Sequence, residues 1–267
     1  MLYKKIQLID NEPDVYLEVY VSECSITKRD AILIIPGGGY TCVCSDREGE
    51  PVALAFMPYC FNAFVLNYSV GDKARFPKPL IEASLAMKHI KDNAEEYGID
   101  KDRVFVTGFS AGGHLCTALG TLWHMPEIYE QVEMEFGYNK PKAIIPVYPV
   151  ICSDPEVSHR GSFYNIVGEG KQEEEYEKYS LDMCVDEKSV PAFIVHTADD
   201  KVVNVRNSIR LANAYSEKGI PFELHIFKEA PHGMALSNKI TGKCQKHNNS
   251  HNAKWVELAA EWMEAYE

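Results

Sequence analysis

The chain has 267 residues, of which 46% are hydrophobic and 25% charged, enough apolar material for one domain with a substantial core. Asp and Glu number 39 against 27 Lys and Arg, a formal net charge of −12, so neither nucleic acid nor an anionic membrane surface is expected as a partner. The sequence shows no signal-peptide pattern and no apolar run of membrane-spanning length, and we expect a cytoplasmic protein.

Two half-buried antiparallel strands, at residues 3–9 and 14–22, are predicted from alternating polar and apolar side chains. Farther along the chain, short aliphatic and β-branched runs predict inner strands that are buried on both faces. The inner strands are expected at residues 31–35, 63–68, 104–107, 143–147, 190–196 and 221–227. Apolar residues three and four apart predict helices at residues 48–57, 77–97, 115–122, 127–135, 207–218 and 253–265. Strands that alternate with helices predict an α/β fold with a mostly parallel central sheet of about eight strands, flanked by helices.

The interval 148–189 interrupts this alternation between two inner strands and includes a glutamate-rich helix at residues 173–177. Insertions at the carboxyl ends of strands often carry binding residues, so this interval is expected to cover a site, although a purely structural excursion would look the same. No linker composition divides the chain, and we treat residues 1–267 as a single domain.

A G-x-S-x-G motif is formed by Gly108, Ser110 and Gly112, directly after a predicted strand and before a predicted helix. That order predicts a sharp strand-to-helix turn on which the Ser110 hydroxyl is exposed, with the free N–H groups of the new helix pointing at the group it attacks. An ordinary glycine-rich turn is the alternative, and the flanking elements favour a nucleophilic serine.

A serine hydroxyl needs a base to take its proton and a carboxylate to orient that base. His232 lies in A-P-H-G just beyond the last predicted strand, where a loop can bring its imidazole to Ser110. Two adjacent acids, Asp199 and Asp200, follow the penultimate strand. Each of them could also be a helix cap or a turn former, so the residues alone leave the choice open.

An oxyanion formed at an attacked carbonyl needs hydrogen-bond donors fixed in advance. The N–H of Ala111 is one candidate, and the N–H groups of Gly38 and Gly39 in the loop P-G-G-G-Y are the others. Phosphate binding is the alternative for this loop, but both nucleotide-binding glycine patterns are missing.

Metal and redox sites are not expected. The eight cysteines include no C-x-x-C pair, which favours reduced thiols in or near a core. His247 and His251 have the spacing of a zinc pair, but no glutamate adjoins them, and we interpret them as surface residues. We therefore expect no metal and no organic cofactor.

The order Ser110, Asp200, His232 resembles the α/β-hydrolase superfamily from about residue 31 to the C-terminus. Within it, P-G-G-G-Y, G-F-S-A-G-G-H-L, H-T-A-D-D-K-V-V and P-H-G resemble compact bacterial esterases of the carbohydrate acetyl esterase type, often called acetylxylan-esterase-like. The resemblance implies an α/β-hydrolase fold, selects Asp200 over Asp199 as the acid, and assigns the oxyanion donors to the glycine loop. One departure is Pro36, which stands where lipase-type relatives commonly have histidine before the glycines.

These observations predict a serine esterase that removes a short acyl group through an acyl-enzyme. The acetyl preference and a sugar alcohol are implied by the resemblance alone. The alternatives are a general short-chain carboxylesterase, a feruloyl esterase or a peptidase on the same fold and, from another class, a non-catalytic binding protein. Tyr40, His159 and Phe163 are candidates for substrate contact, with packing as the alternative for each. The sequence leaves the oligomeric state open.

Overall fold

A computed structural model describes residues 1–23 and 27–266. Within these residues a single sheet has the strand order β1-β2-β4-β3-β5-β6-β7-β8. The strands are β1 (Leu2–Gln7), β2 (Tyr16–Val21), β3 (Arg29–Ile35), β4 (Phe61–Asn67), β5 (Ile99–Phe109), β6 (Ile144–Val147), β7 (Ala192–Thr197) and β8 (Phe222–Phe227). Strand β2 pairs antiparallel with β1 and β4, and the strands from β4 to β8 pair in parallel. The predicted fold class is confirmed.

Helices flank the sheet on both faces. They are α1 (Ser45–Glu48), α2 (Glu50–Phe56), α3 (Lys78–Asp92), α4 (Ala111–Thr121), α5 (Pro126–Gln131), α6 (Arg160–Val167), α7 (Glu173–Glu177), α8 (Arg206–Lys218) and α9 (Trp255–Glu264). Within the described ranges, no helix has the length and apolar character needed to cross a bilayer.

Two apolar clusters explain why the sequences of the inner strands are continuous hydrophobic runs. Leu33 of β3 packs in the cluster that α3, α4 and α8 cover, whereas its neighbour Ile34 packs in the cluster that α2 and α9 cover. Val106 and Phe105 of β5 divide in the same way. Because successive side chains of a strand point to opposite faces, a strand covered on both sides needs an apolar residue at every position.

Several element boundaries differ from the sequence predictions, and three helices are examples. The helix predicted at residues 77–97 ends at Asp92 as α3, because the chain then turns so that the Tyr97 ring packs on Phe64. The helix predicted at residues 48–57 is divided into α1 and α2, because the backbone leaves the helical region at Gly49. The helix predicted at residues 127–135 already ends at Gln131 as α5.

The carboxyl ends of the parallel strands lie at one edge of the sheet, where open α/β sheets bind their ligands. Ser110 follows β5 at this edge, and Tyr148 follows β6. The loops that carry Asp200 and His232 follow β7 and β8. Four loops that are distant in sequence therefore meet at one place.

Candidate active site

Ser110 lies between β5 and α4 with backbone angles of φ 54° and ψ −116°, a conformation that side-chain-bearing residues rarely adopt. The turn is tight because the flanking glycines are closely approached. A Cβ on Gly108 would lie 2.2 Å from the carbonyl oxygen of Gly112, and a Cβ on Gly112 would lie 2.1 Å from that of Ile35. The two glycines of the motif are thus needed for the strand-to-helix turn that the sequence predicted.

His232 bridges Ser110 and Asp200. Its Nε2 lies 2.8 Å from the Ser110 Oγ, and its Nδ1 lies 2.6 Å from the Asp200 Oδ2. Since an ionised carboxylate can only accept hydrogen bonds, Nδ1–H donates to Asp200, which leaves Nε2 free to accept the proton of the Ser110 hydroxyl. The arrangement is that of a hydroxyl with its base and an orienting acid.

The two adjacent acids point to different partners. Asp200 contacts His232, whereas the Asp199 Oδ1 accepts a hydrogen bond from the N–H of Ala230 at 2.9 Å. Burial by itself would raise the pKa of Asp200, but the neighbouring imidazoles of His196 and His232 outweigh it, and the pKa is held well below its usual range. Asp200 is therefore ionised at neutral pH.

His196 supports the Asp200 loop, a role that was not predicted from the sequence. Its ring is fully buried at the end of β7, with Nδ1 at 2.7 Å from the Ser208 Oγ. Its Nε2–H donates to the carbonyl of Val203 at 3.0 Å and lies 3.6 Å from the Asp200 Oδ2. The only local signal is the four-residue spacing of His196 and Asp200 in H-T-A-D-D.

The glycine loop lies directly against Ser110. A Cβ on Gly37 would meet the Ser110 Cβ at 3.0 Å, and the loop is closed by hydrogen bonds from the N–H groups of Thr41 and Cys42 to the Gly38 carbonyl. Gly38 and Gly39 have φ angles of 131° and 66°, in the region that favours glycine. Among the described residues, the N–H groups of these two glycines have no hydrogen-bond acceptor, so they are available to a ligand.

Two of the three candidates for substrate contact lie in the core. Tyr40 and Phe163 are fully buried and pack edge-on against His114, which leaves neither of them an exposed face for a ligand. The third, His159, is half-buried, and its Nδ1 lies 2.9 Å from the Ser162 Oγ. Its Cε1 is 3.9 Å from where a Cβ on Gly39 would be, so the ring borders the glycine loop.

The interval 148–189 packs beside the same loop. The Asn165 side-chain amide donates to the Gly39 carbonyl at 2.8 Å, and the N–H of Phe76 donates to the Ile166 carbonyl. Next to Ser110, the N–H of Val150 donates to the serine's carbonyl at 3.1 Å. The interval therefore contacts both the glycine loop and the backbone of Ser110.

His247 and His251 were both interpreted as surface residues, which is wrong for His247. His251 is exposed, but His247 is only 5% exposed, because its ring is folded under the loop that carries His232. Its Nδ1 accepts the N–H of Lys243 at 3.2 Å. Within residues 1–23 and 27–266, no group of three His, Cys, Asp or Glu is arranged to hold a metal ion. The seven cysteines described there are unpaired, and Cys24 lies outside the described residues.

His114 joins the glycine loop to the interval 148–189. Its ring is fully buried, its Nε2–H donates to the Tyr179 carbonyl, and its Nδ1 accepts the Tyr40 hydroxyl proton, both at 2.9 Å. Burial lowers the pKa of His114 to about 4, so the ring is neutral at pH 7, as these two hydrogen bonds require.

We expect His114 to make folding sensitive to acid. Its pKa lies below the value of about 6.5 for an unfolded histidine, so its contribution is complete above pH 6.5 and is lost as the pH falls toward 4. Between pH 7 and 5 this loss amounts to about 2 kcal/mol of unfolding free energy. Urea unfolding at both pH values should show a smaller loss for His114→Gln than for the wild type. Equal losses in the two proteins would contradict the assignment.

With the site described, comparison with known proteins decides the family. A family model described as BD-FAE matches residues 17–215, most of the chain. The chain belongs to the BD-FAE family. The resemblance that its motifs predicted is confirmed.

Two named relatives of this BD-FAE protein come from bacteria. Over 215 residues it is 37% identical to endo-1,4-beta-xylanase B of Butyrivibrio fibrisolvens, covering 79% of this chain and 33% of that protein. Over 212 residues it is 31% identical to the acetylxylan esterase of Xylanibacter ruminicola, covering 77% of this chain and 41% of that protein. The chain therefore spans less than half the length of these two relatives.

A solved structure matches over almost the full length. The acetyl ester-xyloside bifunctional hydrolase from Caldicellulosiruptor lactoaceticus superimposes with a TM-score of 0.83 at 32% identity. The match covers 98% of this chain and 96% of that one. The fold of the BD-FAE protein is therefore that of an entire hydrolase chain of similar size.

Proposed function

We propose that the protein is a serine esterase that hydrolyses short acyl esters, in particular acetyl esters of carbohydrates. The observation that carries this proposal is the line from the Ser110 Oγ through His232 to Asp200, with contacts of 2.8 and 2.6 Å. This line lies against a glycine loop whose N–H groups are free to bind an oxyanion. A metal or an organic cofactor has no part in the proposed reaction.

In the proposed reaction, His232 takes the hydroxyl proton as the Ser110 Oγ attacks the ester carbonyl carbon. The resulting oxyanion accepts hydrogen bonds from the N–H groups of Gly38, Gly39 and Ala111, each of which can contribute about 3 kcal/mol to transition-state stabilisation. The ester C–O bond then breaks, and the alcohol leaves with the proton from His232. Water attacks the acyl-enzyme with His232 again as base, which releases the carboxylic acid and restores Ser110.

The substrate class rests on the relatives. One of them is named an acetylxylan esterase, and another is an acetyl ester-xyloside bifunctional hydrolase. A third is named as a xylanase. Their names support the predicted esterase and favour acetylated sugars over other esters. We further propose that residues 148–189 cover the alcohol side of the site.

A substrate panel tests this proposal. Acetate release from acetylated xylo-oligosaccharides is expected to be the fastest reaction, with p-nitrophenyl acetate cleaved faster than longer acyl esters. Feruloyl esters and amides of the same alcohols are expected to be poor substrates. A preference for feruloyl esters or amides would identify one of the other hydrolases. No turnover and no labelling by a fluorophosphonate probe would indicate a binding protein.

The same panel tests whether His159 binds the alcohol. Since a single neutral hydrogen bond contributes about 1 kcal/mol, His159→Ala should lower kcat/KM for the acetylated sugar about five-fold. Its effect on p-nitrophenyl acetate should be smaller, because the aryl part of that ester carries no free hydroxyl for the imidazole to bind. The matched control is His251→Ala, which removes an exposed imidazole and should change neither rate. Equal losses on both substrates would assign His159 to packing.

A further inference from the structure

A second carboxylate lies beneath the site, outside the Ser–His–Asp line. Glu48 ends helix α1 and is only 1% exposed. A buried carboxylate is costly unless hydrogen bonds and a counter-charge compensate for its lost hydration. Here the Glu48 Oε2 accepts the N–H of Gly37 at 2.8 Å, its Oε1 accepts the Tyr148 hydroxyl proton at 3.0 Å, and the Arg47 Nε lies 3.8 Å from Oε1. Both oxygens are therefore used, each toward a different loop.

The first of these loops is the glycine loop. Gly37 precedes the two proposed oxyanion donors, and it is so close to Ser110 that an added Cβ would lie 3.0 Å from the serine Cβ. The same Cβ would lie 2.9 Å from the Glu48 Oε2. The carboxylate thus holds the base of this loop against the serine.

The second loop carries His232. The Tyr148 hydroxyl, while donating to Glu48, accepts the N–H of Ala235 at 3.0 Å, and its ring stands edge-on to the His232 imidazole with centroids 5.1 Å apart. The Arg47 guanidinium donates to the Gly233 carbonyl at 3.4 Å. Glu48 and its two partners therefore fix the residues that flank His232 on its C-terminal side.

We propose that Glu48 is a positioning residue for hydrolysis, which aligns the oxyanion loop and the His232 loop on Ser110 and favours the protonated imidazole of His232 by its negative charge. This inference rests on the proposed esterase function. It adds a second carboxylate that acts on His232 through Tyr148 instead of by direct contact.

The effect of Glu48 on the protonated form of His232 follows from the charges around that imidazole. Asp200 contacts it directly, Glu48 faces it across the Tyr148 ring, and Arg47 lies beside the adjoining Gly233. Two further imidazoles interact with His232, that of His159 just before α6 and that of His247 under the loop. If Glu48 loses its charge, Arg47 is left without its counter-ion, and the protonated form of His232 becomes less favourable.

Glu48→Gln is the test, because glutamine can still accept the N–H of Gly37 and turn its amide toward the Tyr148 oxygen. We expect kcat for p-nitrophenyl acetate to fall about 10- to 100-fold with KM nearly unchanged. The acidic limb of the kcat/KM profile should move to lower pH by about 0.5 to 1 unit, because a less favourable imidazolium loses its proton more readily. A purely structural role would leave this limb in place.

Glu82→Gln is the matched control. Glu82 is also fully buried, but it accepts the N–H of Ser69 at 2.7 Å and also the Ser69 hydroxyl proton, away from the Ser–His–Asp line. This variant should lose stability without moving the acidic limb. If Glu48→Gln has the kcat and pH profile of Glu82→Gln, the positioning role is excluded.

Tyr148→Phe provides a second route in case Glu48→Gln does not fold. It removes the hydroxyl that joins Glu48 to Ala235, but it keeps the ring beside His232 and the charges of Glu48 and Arg47. We expect a several-fold lower kcat at unchanged KM, and a wild-type kcat would overturn the inference. Fluorophosphonate labelling of the wild type separates the two proposals. A wild type that is inactive and unlabelled refutes the esterase function. If the wild type is active and labelled but both variants keep its kcat and pH profile, only the role of Glu48 is refuted.

Discussion

Ser110→Ala is expected to lower kcat for p-nitrophenyl acetate by about 10⁵- to 10⁶-fold, the loss typical when the nucleophile of a serine hydrolase is removed. The hydroxyl is the only group at this position that can form the acyl-enzyme, and its contact with the His232 Nε2 at 2.8 Å would be lost. Residual activity should come only from binding and the oxyanion donors. Initial rates at saturating substrate give the value, and fluorophosphonate labelling should disappear in parallel.

The fold should survive this change. The alanine keeps the Cβ that contacts Gly37, and the Ser110 side chain caps no helix N–H group. The control is Ser216→Ala on helix α8, where the side chain is exposed and full activity is expected. If the Ser110 variant kept its turnover and its labelling, the nucleophile would lie elsewhere and the proposed chemistry would be wrong.

The sheet was predictable because its inner strands carry a strong local signal. A strand covered by helices on both faces needs an unbroken apolar run, and Leu33 with Ile34 or Phe105 with Val106 supply one to each cluster. Helix ends were less predictable. Helix α3 stops at Asp92 although the apolar spacing continues, because the Asn62 side-chain amide binds the Tyr97 carbonyl at 2.7 Å in the turn that follows. That contact joins residues far apart in sequence and leaves no periodic pattern.

Some residues of the candidate site could likewise be predicted from local sequence, and others could not. Ser110, Asp200 and His232 were predicted because each stands in a short motif at the end of a strand, where the backbone conformation constrains the residue type. Glu48 and Tyr148 were not, because they meet across 100 positions and neither belongs to a motif. Their roles follow from loops that converge only in the folded chain.

The candidates for substrate contact illustrate the limit of motif proximity. Tyr40 directly follows the glycine loop, yet its ring turns inward to His114, Tyr68 and Phe76. Packing determines the direction of the ring, since burying it with its hydroxyl hydrogen-bonded stabilises the fold more than leaving it exposed. A position next to a motif therefore does not tell which way a side chain points.

Asp200→Asn is expected to lower kcat by about 10⁴-fold while KM changes little. An asparagine at this position can turn its amide N–H toward the His232 Nδ1 and so stabilise the tautomer whose Nε2 carries the proton. That tautomer cannot accept the proton of Ser110. The negative charge that favours the imidazolium in the transition state is lost at the same time. Steady-state rates on p-nitrophenyl acetate, with folding checked by thermal unfolding, give the comparison.

Asp199→Asn is the matched change at the adjacent acid, and we expect its rate to stay within about three-fold of the wild type. Asp199 accepts the N–H of Ala230 at 2.9 Å, a bond that an asparagine carbonyl can keep. A loss in this variant comparable to that in Asp200→Asn would mean that the two acids exchange partners. Because the pKa of Asp200 lies well below its usual range, Asp200 stays charged throughout the acidic limb of the wild type. Asp200 itself therefore does not contribute to that limb, and in Asp200→Asn the limb should move to lower pH because the protonated imidazole loses its counter-charge.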